Sequence, residues 1–172
     1  MGEIFIIYHG LGMAGKTTNL EFLASIFESM KIDRFHQSTI EGRTVYLDTL
    51  LMAIKIKGTD ERLKIRIFST PGQERFSIVR PWIFSNADGF VFVVDPTQPL
   101  DQNIQAFREI QEYQKPKVIQ INKVDLVEDI SKFRSIFSGL TTILASANKG
   151  VGVKDTFIAI LKEVLDARES RR

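Results

Sequence analysis

Apolar residues come in short, nearly continuous runs at Ile4 to Tyr8, Ala87 to Val94, Lys117 to Ile121 and Thr142 to Ala145. Runs of this length predict strands buried on both faces. Between them the period changes: Lys16 to Met30 sets Leu20, Leu23, Phe27 and Met30 on one stripe, and Val153 to Ala167 does so with Val153, Phe157, Ile160, Leu161 and Val164. Both segments predict amphipathic helices. Buried strands joined by helices imply right-handed crossovers and a doubly wound α/β fold, in which ligands sit outside the carboxyl ends of the strands. Val45 to Lys57 and Leu63 to Ser69 flank the polar turn Gly58-Thr59-Asp60-Glu61 and predict a hairpin. The expected sheet is therefore mostly parallel and six-stranded, with one antiparallel edge strand. Lys31 to Gly42 and Pro96 to Asp101 are expected to be loops.

Composition narrows the class. A chain of 172 residues with 44% hydrophobic content can build one core unaided, so residues 1–172 are expected to form a single domain. There is no cysteine, which removes a disulfide framework, a thiolate metal site and a cysteine nucleophile, and fits a reducing cytoplasm. Lys and Arg number 23 against 21 Asp and Glu, a net charge of +2 that argues against a nucleic-acid groove. No apolar run approaches the roughly 18 residues of a membrane span, so no integral membrane segment is expected. The start lacks a signal-peptide pattern, Ile6 departs from the myristoylation pattern, and the Glu-Ser-Arg-Arg end lacks a prenylation cysteine.

The candidate chemistry begins directly after the first apolar run, at Gly10-Leu11-Gly12-Met13-Ala14-Gly15-Lys16-Thr17-Thr18. Glycines at both ends let successive N–H groups turn inward toward phosphate oxygens, Lys16 brings a positive charge to the β- and γ-phosphates, and Thr17 offers a hydroxyl to Mg²⁺. The N-terminus of the helix predicted to follow favours the same anion. At the end of a later strand stands Asn122-Lys123-Val124-Asp125. A carboxylate at Asp125 accepts two hydrogen bonds from the ring N–H and exocyclic amine of guanine, a pair that adenine does not offer. Asn122 is expected to hold the loop and approach N7 of the base, the Lys123 stem to cover one face of the ring, and Ala147 N–H, after Ser146, to meet the guanine carbonyl.

With Pro71-Gly72-Gln73 added, the order and spacing of these motifs resemble the Ras-like small GTPases over nearly the whole chain. Tyr8 to Leu20, Arg43-Thr44-Val45-Tyr46-Leu47-Asp48 and Ser69-Thr70-Pro71-Gly72-Gln73 look like the MglA-type polarity GTPases in particular. The resemblance implies a three-layer P-loop NTPase fold, the Ras-like G domain, that binds GTP/GDP with Mg²⁺ and hydrolyses GTP slowly until a partner speeds it. It implies a roadblock-type, MglB-like homodimeric activator, effectors that read the switch regions, and a role in cell polarity or motility.

Several residue roles follow from that resemblance. Thr44 joins the metal shell in the GTP-bound form, with Thr39 as its rival. Gly72 and Gln73 approach the γ-phosphate, Gln73 orienting the attacking water. Arg43, beside Thr44, can swing over the phosphates as an arginine finger in cis. Ser69 stands where most Ras-like proteins carry an aspartate that holds a water of the Mg²⁺ shell; the MglA type also has a hydroxyl residue there. Losing that charge leaves Mg²⁺ to Thr17, phosphates and water, and leaves open a binding module without hydrolysis. An ATP-using P-loop enzyme is disfavoured by Asp125. Met13 replaces a common glycine, and Asn148 stands where many relatives place a lysine beside the base. Phe76, Ile78, Val79, Trp82, Ile83 and Phe84 are either a partner face or core filling. His9 and His36 read as structural or solvent-facing.

Overall fold

The computed structural model describes residues 2–27, 31–38, 44–71 and 80–171, with the backbone alone at 31–38, 44–47 and 80. In chain order the elements are β1 (Ile4–Gly10), α1 (Lys16–Ile26), β2 (Lys31–Ser38), β3 (Thr44–Lys55), β4 (Arg62–Ser69), α2 (Arg80–Asn86) and β5 (Gly89–Val94). They continue with α3 (Leu100–Gln111), β6 (Lys117–Ile121), α4 (Ser131–Ile136), β7 (Thr141–Leu144) and α5 (Val153–Glu169). The strands form one seven-stranded sheet in the order β2-β3-β4-β1-β5-β6-β7. β1 pairs in parallel with β4 and β5, and β6 and β7 extend the parallel half.

The sheet has one strand more than expected. Lys31–Ser38, expected as loop, pairs antiparallel with β3 and forms the edge. β3, which runs against every other strand among the described residues, is therefore one place inside that edge. Ile32 and Phe35 are three residues apart and do not alternate, so this strand has no period-2 signal. Its ladder to β3 is made by backbone, which side-chain pattern does not reveal.

The core explains the apolar runs. Every residue of β5 is buried. Val91 and Val93 join the side packed by α1 and α5, and Phe90, Phe92 and Val94 join the side packed by α2, α3 and α4. Ile4, Ile6 and Tyr8 of β1 face the first side and Ile7 the second. On α5 the expected stripe is buried at Val153, Phe157, Ile160 and Val164, with Leu161 partly covered. Truncating Phe157 to alanine would cost about 3–5 kcal/mol in this packing. The second layer is held by edge-to-face rings, Phe84 on Phe90 at 5.6 Å and Phe107 on Phe137 at 5.1 Å between centroids.

This topology brings the ends of β1, β4, β5, β6 and β7, with the start of β3, to one edge of the sheet. The strand order reverses across β1, where a crevice forms in such sheets. No helix among the described residues is long and apolar enough to cross a membrane.

Candidate functional site

The loop between β1 and α1 is shaped by close backbone approaches. At Gly15, φ is 106°, and a Cβ there would lie 2.1 Å from Asn122 Nδ2; a Cβ at Gly10 would lie 2.4 Å from the Val93 carbonyl oxygen. Only glycine fits either place. As the N-cap of α1, Gly15 brings no side-chain cap to the helix start, an end that favours an anion. Lys16 is buried, and its Nζ donates to the carbonyls of Gly10 at 2.6 Å and Leu11 at 2.7 Å. Met13 is left-handed at φ 61° and 92% exposed, so its side chain forms an outer lip. The loop opens on a cleft of about 420 Å³ lined by Gly12, Met13, Gly15 to Thr18, Asp48 and Ser69 to Pro71.

Asp48 is the residue that motif reading missed. Thr17 Oγ1 donates to Asp48 Oδ2 at 2.6 Å. Asp48 is also the β3 partner of Ser69 on β4, so the two side chains share one face of the sheet. A carboxylate thus stands beside Ser69 on the neighbouring strand. A register counted from the hairpin turn at Gly58 would have found it. A hydroxyl and a carboxylate are the hard oxygen donors that Mg²⁺ accepts when phosphates and water complete its shell. No group of three His, Cys, Asp or Glu side chains among the described residues forms a protein-only metal cage.

The base side is built around Asn122. Its Nδ2 donates to Ala14 O at 2.8 Å, and its Oδ1 accepts the Ala147 N–H at 2.9 Å. The Asn122 amide thus ties the phosphate loop to the loop at Ala147, the loop-holding part expected of it, and in this structure the Ala147 N–H, expected to meet the guanine carbonyl, donates to Asn122 instead. Asp125 accepts from the Ser146 hydroxyl at 2.8 Å on Oδ1 and meets Lys149 Nζ at 3.2 Å on Oδ2. The Ser146 hydrogen bond first, and then the Lys149 ammonium, hold the Asp125 carboxyl below the ordinary carboxylate range. Lys149, one residue past Asn148, thus places a cation beside Asp125. Asn148 Oδ1 lies 3.0 Å from the same Ser146 hydroxyl.

A buried polar network lies beneath both loops. Asn19 and Gln120 exchange reciprocal amide hydrogen bonds of 2.8 Å, and Gln120 Nε2 also donates to Thr156 Oγ1 at 2.9 Å. With every partner satisfied, it fixes α1 against β6 and α5.

A family model, that of the Ras family, matches residues 6–166. The chain belongs to the Ras family. It is 32% identical to the mutual gliding-motility protein MglA of Myxococcus xanthus, over 93% of this chain and 89% of that protein. It is 30% identical to the GTP-binding protein yptV2 of Volvox carteri, over 72% of the chain and 64% of the relative. With human Ras-related protein Rab-30 it shares 29% identity over 61% of the chain and 55% of the relative. The chain is thus an MglA-like small G protein, a GTP-binding switch of the Ras family with the α/β fold described above.

Other expected site residues of this Ras-family chain are distributed unevenly. Thr39, Arg43, Gly72 and Gln73 lie outside the described residues, as do Phe76, Ile78 and Val79. Thr44 opens β3, its backbone opposite Ser38. Ile83 and Phe84 fill the core, whereas Trp82 is 73% exposed. His9 is buried, with Nδ1 2.8 Å from Thr70 Oγ1 and Nε2 3.1 Å from Ala106 O. Because a carbonyl only accepts, Nε2 carries the proton of that second pair. Glu109 Oε2 is 3.5 Å from the same nitrogen. The ring ties the end of β1 to α3 and to the residue before Pro71, and so serves structure. His36 lies on β2.

Proposed function

We propose that residues 1–172 act as one Mg²⁺-dependent GTPase unit, hydrolysing GTP to GDP and phosphate slowly alone and faster with a partner. The observation that carries the reading is the Thr17–Asp48 pair beside Lys16, in the cleft facing the phosphate loop. It supports a metal and phosphate site despite Ser69. Thr17 and Asp48 would hold Mg²⁺, directly or through water, with Thr44 joining in the GTP state; the ion supplies charge neutralisation on the β- and γ-phosphate oxygens.

The chain's own groups do the rest. Lys16, positioned by the carbonyls of Gly10 and Leu11, neutralises the phosphates together with the loop amides from Gly12 to Thr18. Asp125, kept ionised by Ser146 and Lys149, selects guanine, while Asn122 and Ala147 lock the two base loops together. Gln73 orients water for in-line attack on the γ-phosphorus. The bond to the β–γ bridging oxygen breaks, GDP departs with its electron pair, and the water proton passes to the released phosphate. Arg43 neutralises the charge that develops there.

The reading extends to a cytoplasmic switch whose Arg43, Thr44 and Gln73 segments are ordered by GTP and read by effectors, with a roadblock-type homodimer as activator and polarity or motility as its setting. These finer points rest on likeness to MglA. The test is competition of GTP, ATP and xanthosine triphosphate for the purified chain with and without Mg²⁺. GTP should win, and its retention should need the metal; equal binding of ATP would overturn the reading.

A further inference from the structure

We propose that Asp95 is a positioning residue for the nucleotide site: it anchors the Lys123 ammonium so that the lysine stem lies as a fixed wall against the base. Asp95 follows the last residue of β5, and Lys123 lies two residues past the end of the adjacent β6. Lys123 Nζ donates to Asp95 Oδ2 at 2.6 Å. The Asp95 side chain is 1% exposed and that of Lys123 25% exposed.

The carboxylate is itself held on every side. Its Oδ1 accepts the Thr97 N–H at 3.0 Å and the Thr97 hydroxyl at 2.6 Å. The Asp95 N–H donates to Asn103 Oδ1 at 2.9 Å, and Asn103 Nδ2 returns a bond of 2.9 Å to the Asp95 carbonyl. Asn103 is buried on α3. One oxygen thus serves the turn, and the other serves only the lysine among the described residues.

That division is what points to the site. The turn at Thr97 needs an acceptor oxygen, which asparagine provides as well as aspartate. A buried carboxylate is costly unless it is paired, so its charge is explained by Lys123 and not by the turn. Lys123 has a left-handed backbone at φ 56°, with Asn122 on one side pinned to the phosphate loop and Asp125 two residues on. A lysine side chain has much rotamer freedom to lose when it covers a ligand. The anchor removes that freedom before the ligand arrives, which is preorganisation.

The inference rests on guanine-nucleotide binding at Asp125, and the experiment separates the two. Dissociation of a fluorescent mant-GDP from the full chain is measured for wild type, D95N, K123M and the double variant. D95N keeps the turn acceptor and should raise the off-rate about tenfold while leaving the preference for GTP over ATP intact. K123M keeps the stem but loses the ammonium and should do the same, and the double variant should be no faster than K123M alone. Equal off-rates for wild type and D95N, or a D95N factor that persists on the K123M background, would overturn the role of Asp95. An unchanged off-rate in K123M would overturn it even if D95N did not fold. Failure of the wild type to bind mant-GDP would overturn the guanine reading and this role with it.

Discussion

Thr17 and Asp48, 31 positions apart in sequence, meet at 2.6 Å, so the phosphate-loop hydroxyl donates to a carboxylate on β3. Asp48 lies directly across the ladder from Ser69. The carboxylate therefore stands beside Ser69 on the adjacent strand, on the same face of the sheet.

Asp48→Asn should therefore weaken Mg²⁺-supported nucleotide retention about 10- to 100-fold, the range typical of losing a group that supports a bound metal. Titration of Mg²⁺ against mant-GDP release checks this. Adding Ser69→Asp to the Asp48→Asn chain should recover most of the loss, because the carboxylate returns to the opposite member of the same pair. On the wild-type background Ser69→Asp should bring two like charges together and cost stability. An unaltered Mg²⁺ titration in Asp48→Asn would show that the metal is held elsewhere.

Base choice should follow Asp125. Asp125→Asn presents a donor where the carboxylate accepted, so preference should move from guanine toward xanthine nucleotides. Competition with xanthosine diphosphate checks it, and an unchanged preference for GDP would remove Asp125 from that role.

The pH dependence has a definite sign. The Ser146 hydroxyl and the Lys149 ammonium lower the Asp125 carboxyl in the folded chain, so its contribution is present above the ordinary carboxylate range. That contribution is lost as pH falls through the depressed folded value. GDP affinity should hence be level from pH 8 down to about 5, with any loss due to Asp125 confined below the usual carboxylate range. In Ser146→Ala the loss should begin at higher pH; coincident profiles would deny Ser146 that part.

The features legible in the sequence are local or periodic. The phosphate loop is contiguous, β5 is apolar throughout because both its faces are covered, and α5 repeats its buried residues at helical spacing. Legibility ends where contacts depend on register or span the fold. Edge strand β2 is paired through backbone to β3 and has no alternating pattern. Asp48 reaches the site only through the hairpin register, and Asn19 meets Gln120 across 101 positions. The Ala147 N–H belongs to Asn122, a partner that strand-end motifs alone do not reveal.

Arg43→Ala should slow partner-stimulated hydrolysis about 10³-fold while leaving GTP affinity nearly intact, as expected for a guanidinium that acts on charge developing in the transition state. Lys16→Ala, by contrast, should abolish binding. Equal stimulated turnover in Arg43→Ala would return that residue to an ordinary surface role.

The most direct test of the whole account is single-turnover phosphate release from GTP with Mg²⁺, measured for the chain alone and with a purified roadblock-type homodimer. Release should be slow for the chain alone and clearly accelerated by the dimer. Tight GTP binding with no release in either condition would contradict it, leaving a guanine-nucleotide-binding module without hydrolysis.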